Sequence, residues 1–133
     1  MKKLVIGILG IFLAGKVAGQ EFFTIHQYDV TIFVNKDASL DIIEKIHVRF
    51  TEPRHGIIRK IPFIYKIQPL PAGSPKAERQ LESGGYTRTI IENIKVPGWH
   101  YEVSIDGNYK SIKIGSADSY VRNDQLYIIS YKI

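Results

Sequence analysis

Hydrophobic and polar residues alternate with a period of two over most of the chain, which predicts half-buried β-strands rather than amphipathic helices. The longest clean alternation covers residues 39–50, where the even positions are apolar except one and share one face of the strand. A break at Glu52–Gly56 separates this strand from a short apolar run that ends at Pro62. We therefore expect residues 37–62 to organise the fold.

One carboxylate interrupts the apolar face of this strand, because Glu44 lies between Ile42 and Ile46. An acid in that position must be paired, protonated or placed at a solvated edge. Arg59, in the apolar run after the break, is the nearest strong candidate partner. We favour a structural Glu44–Arg59 ion pair that fixes the register. The alternative is a Glu44 with a raised pKa that acts as a general acid or a ligand.

The same alternation predicts further strands on both sides of this stretch. Residues 22–34 predict a strand that pairs with the strand at 39–50 through a turn at residues 35–38. Asp106-Gly107 is a tight-hairpin signal. The remaining predicted strands cover residues 86–96, 101–105, 112–114 and 126–133.

Residues 66–85 are rich in proline and glycine, and we expect them to form a loop with at most one helical turn at Ala77–Glu82. Six or seven short strands separated by turn signals, with no long helical period, favour one architecture. The predicted fold class is all-β, an antiparallel β-sandwich that is immunoglobulin-like in style.

The N-terminus has the pattern of a signal peptide. A positive segment, Met1–Lys3, precedes the apolar run Leu4–Ala14, and small residues follow at 17–19. The run is shorter than the roughly 20 apolar residues of a membrane-spanning helix; the alternative is an uncleaved anchor. We expect residues 1–19 to be the signal peptide or anchor. We expect residues 20–133 to form an extracytoplasmic domain that is incomplete, because its last strand pattern runs to the final residue.

The composition limits the kinds of function that the chain can have. The net charge of +5 falls to +2 without the three lysines of residues 1–19, so the expected mature chain offers little attraction to nucleic acid. There is no cysteine, which excludes disulfides and thiolate chemistry. The four histidines show no metal-ligand spacing, and no nucleophile elbow, dinucleotide fingerprint or phosphate loop is present. We expect no catalytic residue, metal or cofactor.

Two short segments are candidates for a binding surface. His55-Gly56 lies in a basic break, where backbone N–H groups would suit an anion; a turn that needs glycine for a positive φ is the favoured alternative. Trp99 and Tyr101 lie in an aromatic segment that would suit a protein or carbohydrate partner. A Trp99 that closes one end of the core is again the favoured alternative.

Several motifs resemble those of a known family. HGIIRKIP at 55–62 is followed in the same order by IKIG at 112–115 and YIISY at 127–131, after KDASL at 36–40. The chain is similar in these motifs to the predicted membrane proteins grouped as domain of unknown function 2207. The resemblance covers nearly all of the expected mature chain, although the family usually has glycine where Ala38 stands and an acidic residue where Lys60 stands. It implies that transmembrane helices follow this region, and it implies no reaction.

These observations favour an extracytoplasmic β-sandwich of a membrane-anchored protein of the cell envelope that acts by binding or assembly and not as an enzyme. Its connection to the membrane would run through segments outside this chain, and its partner would be a protein or carbohydrate of the envelope. Two alternatives stay open. One is an extracytoplasmic hydrolase with most of its catalytic residues elsewhere; the other is a ligand or stress sensor module of a membrane protein.

Overall fold

The computed structural model describes residues 22–68 and 85–133, and these residues form nine β-strands and no helix. The predicted signal peptide, most of the predicted loop and the helical turn at Ala77–Glu82 lie outside the described residues. The strands are β1 (Phe23–Val34), β2 (Leu40–Arg54), β3 (Ile57–Pro62), β4 (Ile64–Lys66), β5 (Tyr86–Arg88), β6 (Glu92–Lys95), β7 (Tyr101–Asp106), β8 (Tyr109–Ile114) and β9 (Val121–Lys132).

The strands form two main antiparallel sheets and one short ribbon. The first sheet has four strands in the order β1-β2-β9-β6, and the second has three in the order β3-β8-β7. Strands β4 and β5 form a separate two-stranded ribbon. The prediction of an all-β antiparallel fold is confirmed.

The core lies between the two main sheets and follows the alternation of β2. The even positions of β2 from 42 to 50 are buried, whereas the odd positions are exposed or half-buried. Strand β9 runs antiparallel beside β2 and buries its own alternate residues in the same layer. The buried apolar residues are Ile42, Ile46, Val48, Phe50, Ile61, Phe63, Ile91, Val96, Ile112, Ile114, Tyr127, Ile129 and Tyr131.

Strands β1 and β2 form the expected antiparallel hairpin. Their register extends from Phe23 opposite Phe50 to Val34 opposite Leu40, with one irregularity between Ile25 and Gln27. In the connecting turn Ala38 has a φ of 64°, a left-handed conformation that costs an L-residue about 1–2 kcal/mol.

Two expectations about where strands are interrupted were wrong. Strand β2 does not break at Glu52 but continues through Pro53 to Arg54. Proline is accommodated because the ladder to β9 is irregular between Phe50 and Arg54, so no regular ladder bond is required there. The single strand predicted at 86–96 is two, β5 and β6, and Ile91 between them is buried instead of Ile90.

Glycine is required where β3 begins beside the end of β8. Gly56 has a φ of 131° and Gly115 a φ of 120°, so both have the positive φ that favours glycine. A Cβ atom on Gly56 would overlap the carbonyl oxygen of Ile114, and one on Gly115 would overlap that of His55. The two glycines therefore allow the two backbones to approach each other closely.

Candidate functional site

Glu44 and Arg59 form a two-point ion pair between the two sheets. Arg59 Nε donates to Glu44 Oε2 at 2.7 Å, and Arg59 Nη2 donates to Glu44 Oε1 at 2.8 Å. The Glu44 side chain is 2 % exposed and that of Arg59 is 28 % exposed. Because Glu44 belongs to β2 and Arg59 to β3, the pair connects the first sheet to the edge strand of the second.

Two tyrosines extend this ion pair. Tyr131 donates its hydroxyl hydrogen to Glu44 Oε1 at 2.8 Å, within the core. Arg59 Nη2 also donates to the hydroxyl of Tyr28 on β1, at 3.1 Å, and Arg59 Nη1 donates to the backbone carbonyl of Lys60. The carboxylate thus accepts three hydrogen bonds, and its charge is neutralised in place.

The protonation states follow from these contacts. Burial raises the pKa of Glu44, but hydrogen bonds from Arg59 and Tyr131 and the charge of Arg59 outweigh it, so the pKa lies below its ordinary value of 4.5. The hydrogen bonds to Glu44 raise the pKa of Arg59 although burial opposes this. Burial raises the pKa of Tyr131, as does the Glu44 carboxylate. The lowered pKa of Glu44 is opposite to what a general acid requires.

The apolar face of β1 continues the core face of β2, but no strand among residues 22–68 and 85–133 covers it. Residues opposite each other in an antiparallel pair share a face, and Val30 lies opposite Glu44. The members of this face are between 42 % and 76 % exposed, whereas the matching residues of β2 from 42 to 50 are buried. We call the β1 apolar face the set Phe23, Ile25, Tyr28, Val30, Ile32 and Val34.

The uncovered face results from the difference in strand number. The second sheet ends at β3, whose Arg59 side chain reaches as far as Tyr28. In the described part of the chain no strand pairs with the other edge of β3. A shallow depression of about 180 Å³ marks this boundary, lined by Ile25, Tyr28, Ile46 and Arg59. It is smaller than the roughly 300–1,000 Å³ of small-molecule pockets.

A second depression lies at the opposite edge of the first sheet. It has a volume of about 470 Å³ and lies where β6 and β9 lose regular register between Glu92 and Lys95. Asp41, Lys95 and Lys132 are the charged residues of its wall, so opposite charges are mixed around it.

At the predicted anion site, His55-Gly56, the two neighbouring arginines contact other side chains. His55 Nδ1 lies 2.9 Å from the carbonyl oxygen of Ser119, and the His55 ring packs on Tyr120 with 4.2 Å between centroids. The guanidinium of Arg54 lies over the ring of Phe22, and that of Arg59 binds Glu44. The positive φ of Gly56 fits the favoured alternative, a turn that needs glycine.

Trp99 and Tyr101 are half-buried at the rim of the core. The Trp99 ring packs on Tyr127 with 4.5 Å between centroids, and its Nε1–H donates to the carbonyl of Leu126 at 3.2 Å. Tyr101 donates its hydroxyl hydrogen to the carbonyl of Ile94 at 3.0 Å. Both aromatic side chains thus have structural partners, and only part of each remains for a ligand.

Two of the histidines come together across β1 and β2. The rings of His26 and His47 lie 5.8 Å apart. Within residues 22–68 and 85–133, no group of three or more His, Cys, Asp or Glu side chains could hold a metal ion.

The comparison with protein families gives one match. The profile described as predicted membrane protein (DUF2207) N-terminal domain matches residues 24–133, which is most of the chain. The chain belongs to this family. No curated protein matches, and no solved structure matches.

Membership of the DUF2207 family associates the domain with membrane proteins. Among the residues described here there is no helix with the length and apolar character needed to cross a membrane. The family description names no reaction.

Sequence reasoning missed the two tyrosines around the ion pair and the exposure of the β1 apolar face. The available signal for Tyr28 and Tyr131 was their position on apolar strand faces, because a buried hydroxyl requires a hydrogen-bond partner. No comparable signal existed for the uncovered face.

Proposed function

We propose that this chain is the extracytoplasmic domain of a membrane-anchored protein and that it acts by binding another protein element on the β1 apolar face. The observation that carries the proposal is the exposure of this face. It is continuous with the core, and the part of the chain that the structure describes gives it no covering layer like that of β2 and β9. Apolar patches of this kind on folded proteins are typical of interaction sites.

The Glu44 network supports a binding role over a catalytic one. Its carboxylate accepts hydrogen bonds from Arg59 and Tyr131, and its side chain is 2 % exposed. A hydrolase built around Glu44 would need an open cleft and a second acid or base in reach. The pair is better suited to holding β3 in place at the boundary of the β1 apolar face.

The extracytoplasmic location is supported by the N-terminal sequence and by the family. A basic start followed by an apolar run is typical of export signals, and the family consists of predicted membrane proteins.

Single cysteines provide a direct test, because the chain has none of its own. Val30→Cys places a thiol on the β1 apolar face, and Thr31→Cys places one on the opposite face of the same strand. The two variants are expressed as the full chain and treated in intact cells with a membrane-impermeant maleimide. We expect rapid labelling at position 31 and slow labelling at position 30, with equal labelling after denaturation.

Two results would contradict the proposal. Equal rates at positions 30 and 31 in the folded protein would mean that nothing covers the face. Labelling of position 31 only after the cells are lysed would place the domain on the cytoplasmic side.

A further inference from the structure

We infer that the element covering the β1 apolar face is the same face of a second copy of this chain, so that the protein forms a two-fold symmetric dimer. This inference rests on the proposed function, because it takes the face to be a docking surface. A two-fold interface brings identical patches together, so such a patch must be self-complementary.

The order of side chains along β1 meets this requirement. If two copies of the face pack with antiparallel strands about a centre between Tyr28 and Val30, the larger end residue, Phe23, meets the smaller end residue, Val34. In the same arrangement Ile25 meets Ile32. Phe23 thus faces the smaller Val34 and Tyr28 the smaller Val30, while Ile25 and Ile32 are equal in size, and this matching allows close packing.

The face also lacks charge. None of its six members is ionisable at neutral pH, and Arg59 at its boundary is neutralised by Glu44. A charged face would repel its own copy in a symmetric contact, since like charges would oppose each other. An uncharged face avoids this repulsion.

A further strand could pair with the free edge of β3. Among the described strands the first sheet has four and the second has three, so none of them lies over β1 and next to β3. The β1 strand of a second copy would fill that position, while the first copy fills the equivalent position in its partner. Strand β1 is also the edge of its sheet, and its twelve residues include neither lysine nor proline, which commonly protect exposed edges.

The available area suits a reversible dimer. With the exposed fractions above and an area on the order of 150–200 Å² for each of the six residues, each copy offers roughly 500 Å². Two copies would bury roughly 1,000 Å², which is near the lower limit for a specific interface. We therefore expect a dimer that dissociates on dilution.

Sedimentation equilibrium over a dilution series of the full chain tests this directly. The native chain and the matched control Thr31→Lys should reach a dimer. Val30→Lys should raise the dissociation constant by about 100-fold or more, because a lysine would be buried without a partner. A native chain that stays monomeric, or a Val30→Lys variant that dimerises like the control, would overturn the inference.

Cross-linking keeps the test valid if Val30→Lys fails to fold. Packed sheet faces lie about 10 Å apart, so a short bifunctional thiol reagent is suited to the contact and a disulfide is not. Position 30 is covered in the dimer but becomes accessible each time the dimer dissociates, so prolonged treatment of the full chain should give linked dimers from Val30→Cys but not from Thr31→Cys.

The outcomes separate this inference from the proposed function. Protection of position 30 without linked dimers would mean that a segment of the same chain, another protein or lipid covers the face; the second copy is then rejected and docking at the face is retained. Free reactivity at position 30 together with no linked dimer would reject both.

Discussion

Arg59 and Glu44 are fifteen residues apart in the chain and meet across the two sheets with both guanidinium–carboxylate contacts below 3 Å. The acid is almost fully buried and the base partly so. Such pairs contribute little net stability compared with apolar residues, but losing one partner is costly because the other charge stays behind.

A double-mutant cycle measures the coupling free energy between Glu44 and Arg59. We expect Arg59→Met to lower the free energy of unfolding by about 3–5 kcal/mol, since it leaves the Glu44 carboxylate buried and unpaired. Combined with Glu44→Gln, the effects should fall short of additive by about 1–3 kcal/mol in urea unfolding. The exposed pair Arg49–Asp124 is the control, and its cycle should show much weaker coupling. Additive effects for Glu44 and Arg59 would contradict the structural role.

The pH dependence of stability should report the lowered pKa of Glu44. A carboxyl with a lower pKa in the folded than in the unfolded state contributes stability that is present above its ordinary value of 4.5 and is lost as the pH falls through the folded pKa. Urea unfolding at several pH values should therefore show a steeper acid-side decrease for the native chain than for Glu44→Gln.

Arg59→Met should reverse the sign of this contribution. Without the guanidinium, burial raises the pKa of Glu44, and the contribution of Glu44 to stability should then increase as the pH falls. Identical acid-side slopes in the native chain, Glu44→Gln and Arg59→Met would rule out this assignment.

Tyr131 and Tyr127 are both buried, but only the Tyr131 hydroxyl has a hydrogen-bond partner among the described residues, so the two can be compared. Tyr131 donates to the Glu44 carboxylate, so Tyr131→Phe should cost about 1.5–3 kcal/mol in thermal or urea unfolding. The Tyr127 hydroxyl is buried with no hydrogen-bond partner among the described residues, and burial raises the pKa of Tyr127 to about 12. Tyr127→Phe should therefore leave stability unchanged or increase it. A larger loss for Tyr127→Phe than for Tyr131→Phe would contradict the hydrogen-bond assignment.

The contact between Gly56 and Gly115 should not tolerate a methyl group. We expect Gly56→Ala to lower stability by more than about 4 kcal/mol or to prevent folding, because its Cβ would overlap the backbone carbonyl of Ile114. Gly98 is the control, since it has a φ of 80° but no atom within 4 Å of an added Cβ. Gly98→Ala should cost only about 1–2 kcal/mol. Equal effects in expression and unfolding assays would mean that φ alone matters.

Replacing Ala38 by glycine should have the opposite effect and stabilise the protein. Because Ala38 has a φ of 64°, Ala38→Gly should relieve the left-handed strain and increase stability by roughly 0.5–1 kcal/mol. Ala117, which is exposed and has no positive φ, is the control; Ala117→Gly should not stabilise the protein. Chemical unfolding of both variants would check this, and a loss of stability in Ala38→Gly would contradict the strain argument.

Local patterns in the sequence were sufficient for the strands and for much of the order among neighbours. The alternation from Leu40 to Phe50 predicted which residues of β2 are buried, and the turn at Asn35–Ala38 predicted its pairing with β1. These features depend on residues close in the chain, where side-chain direction follows directly from the period of two. The break at Pro53 was wrongly predicted, because the irregular ladder that tolerates it depends on β9.

By itself, then, the sequence determined that this protein is all-β, that an acid lies on its core face and that its motifs belong to the DUF2207 family. Only the tertiary structure decided that the β1 apolar face is left uncovered and that Tyr131 completes the Glu44 site. It also decided that Gly56 meets Gly115. The alternation of apolar and polar residues indicates which face of a strand is apolar. The side chains that cover this face belong to strands distant in sequence. Their number and offset in the opposite sheet determine which apolar side chains become core and which remain at the surface.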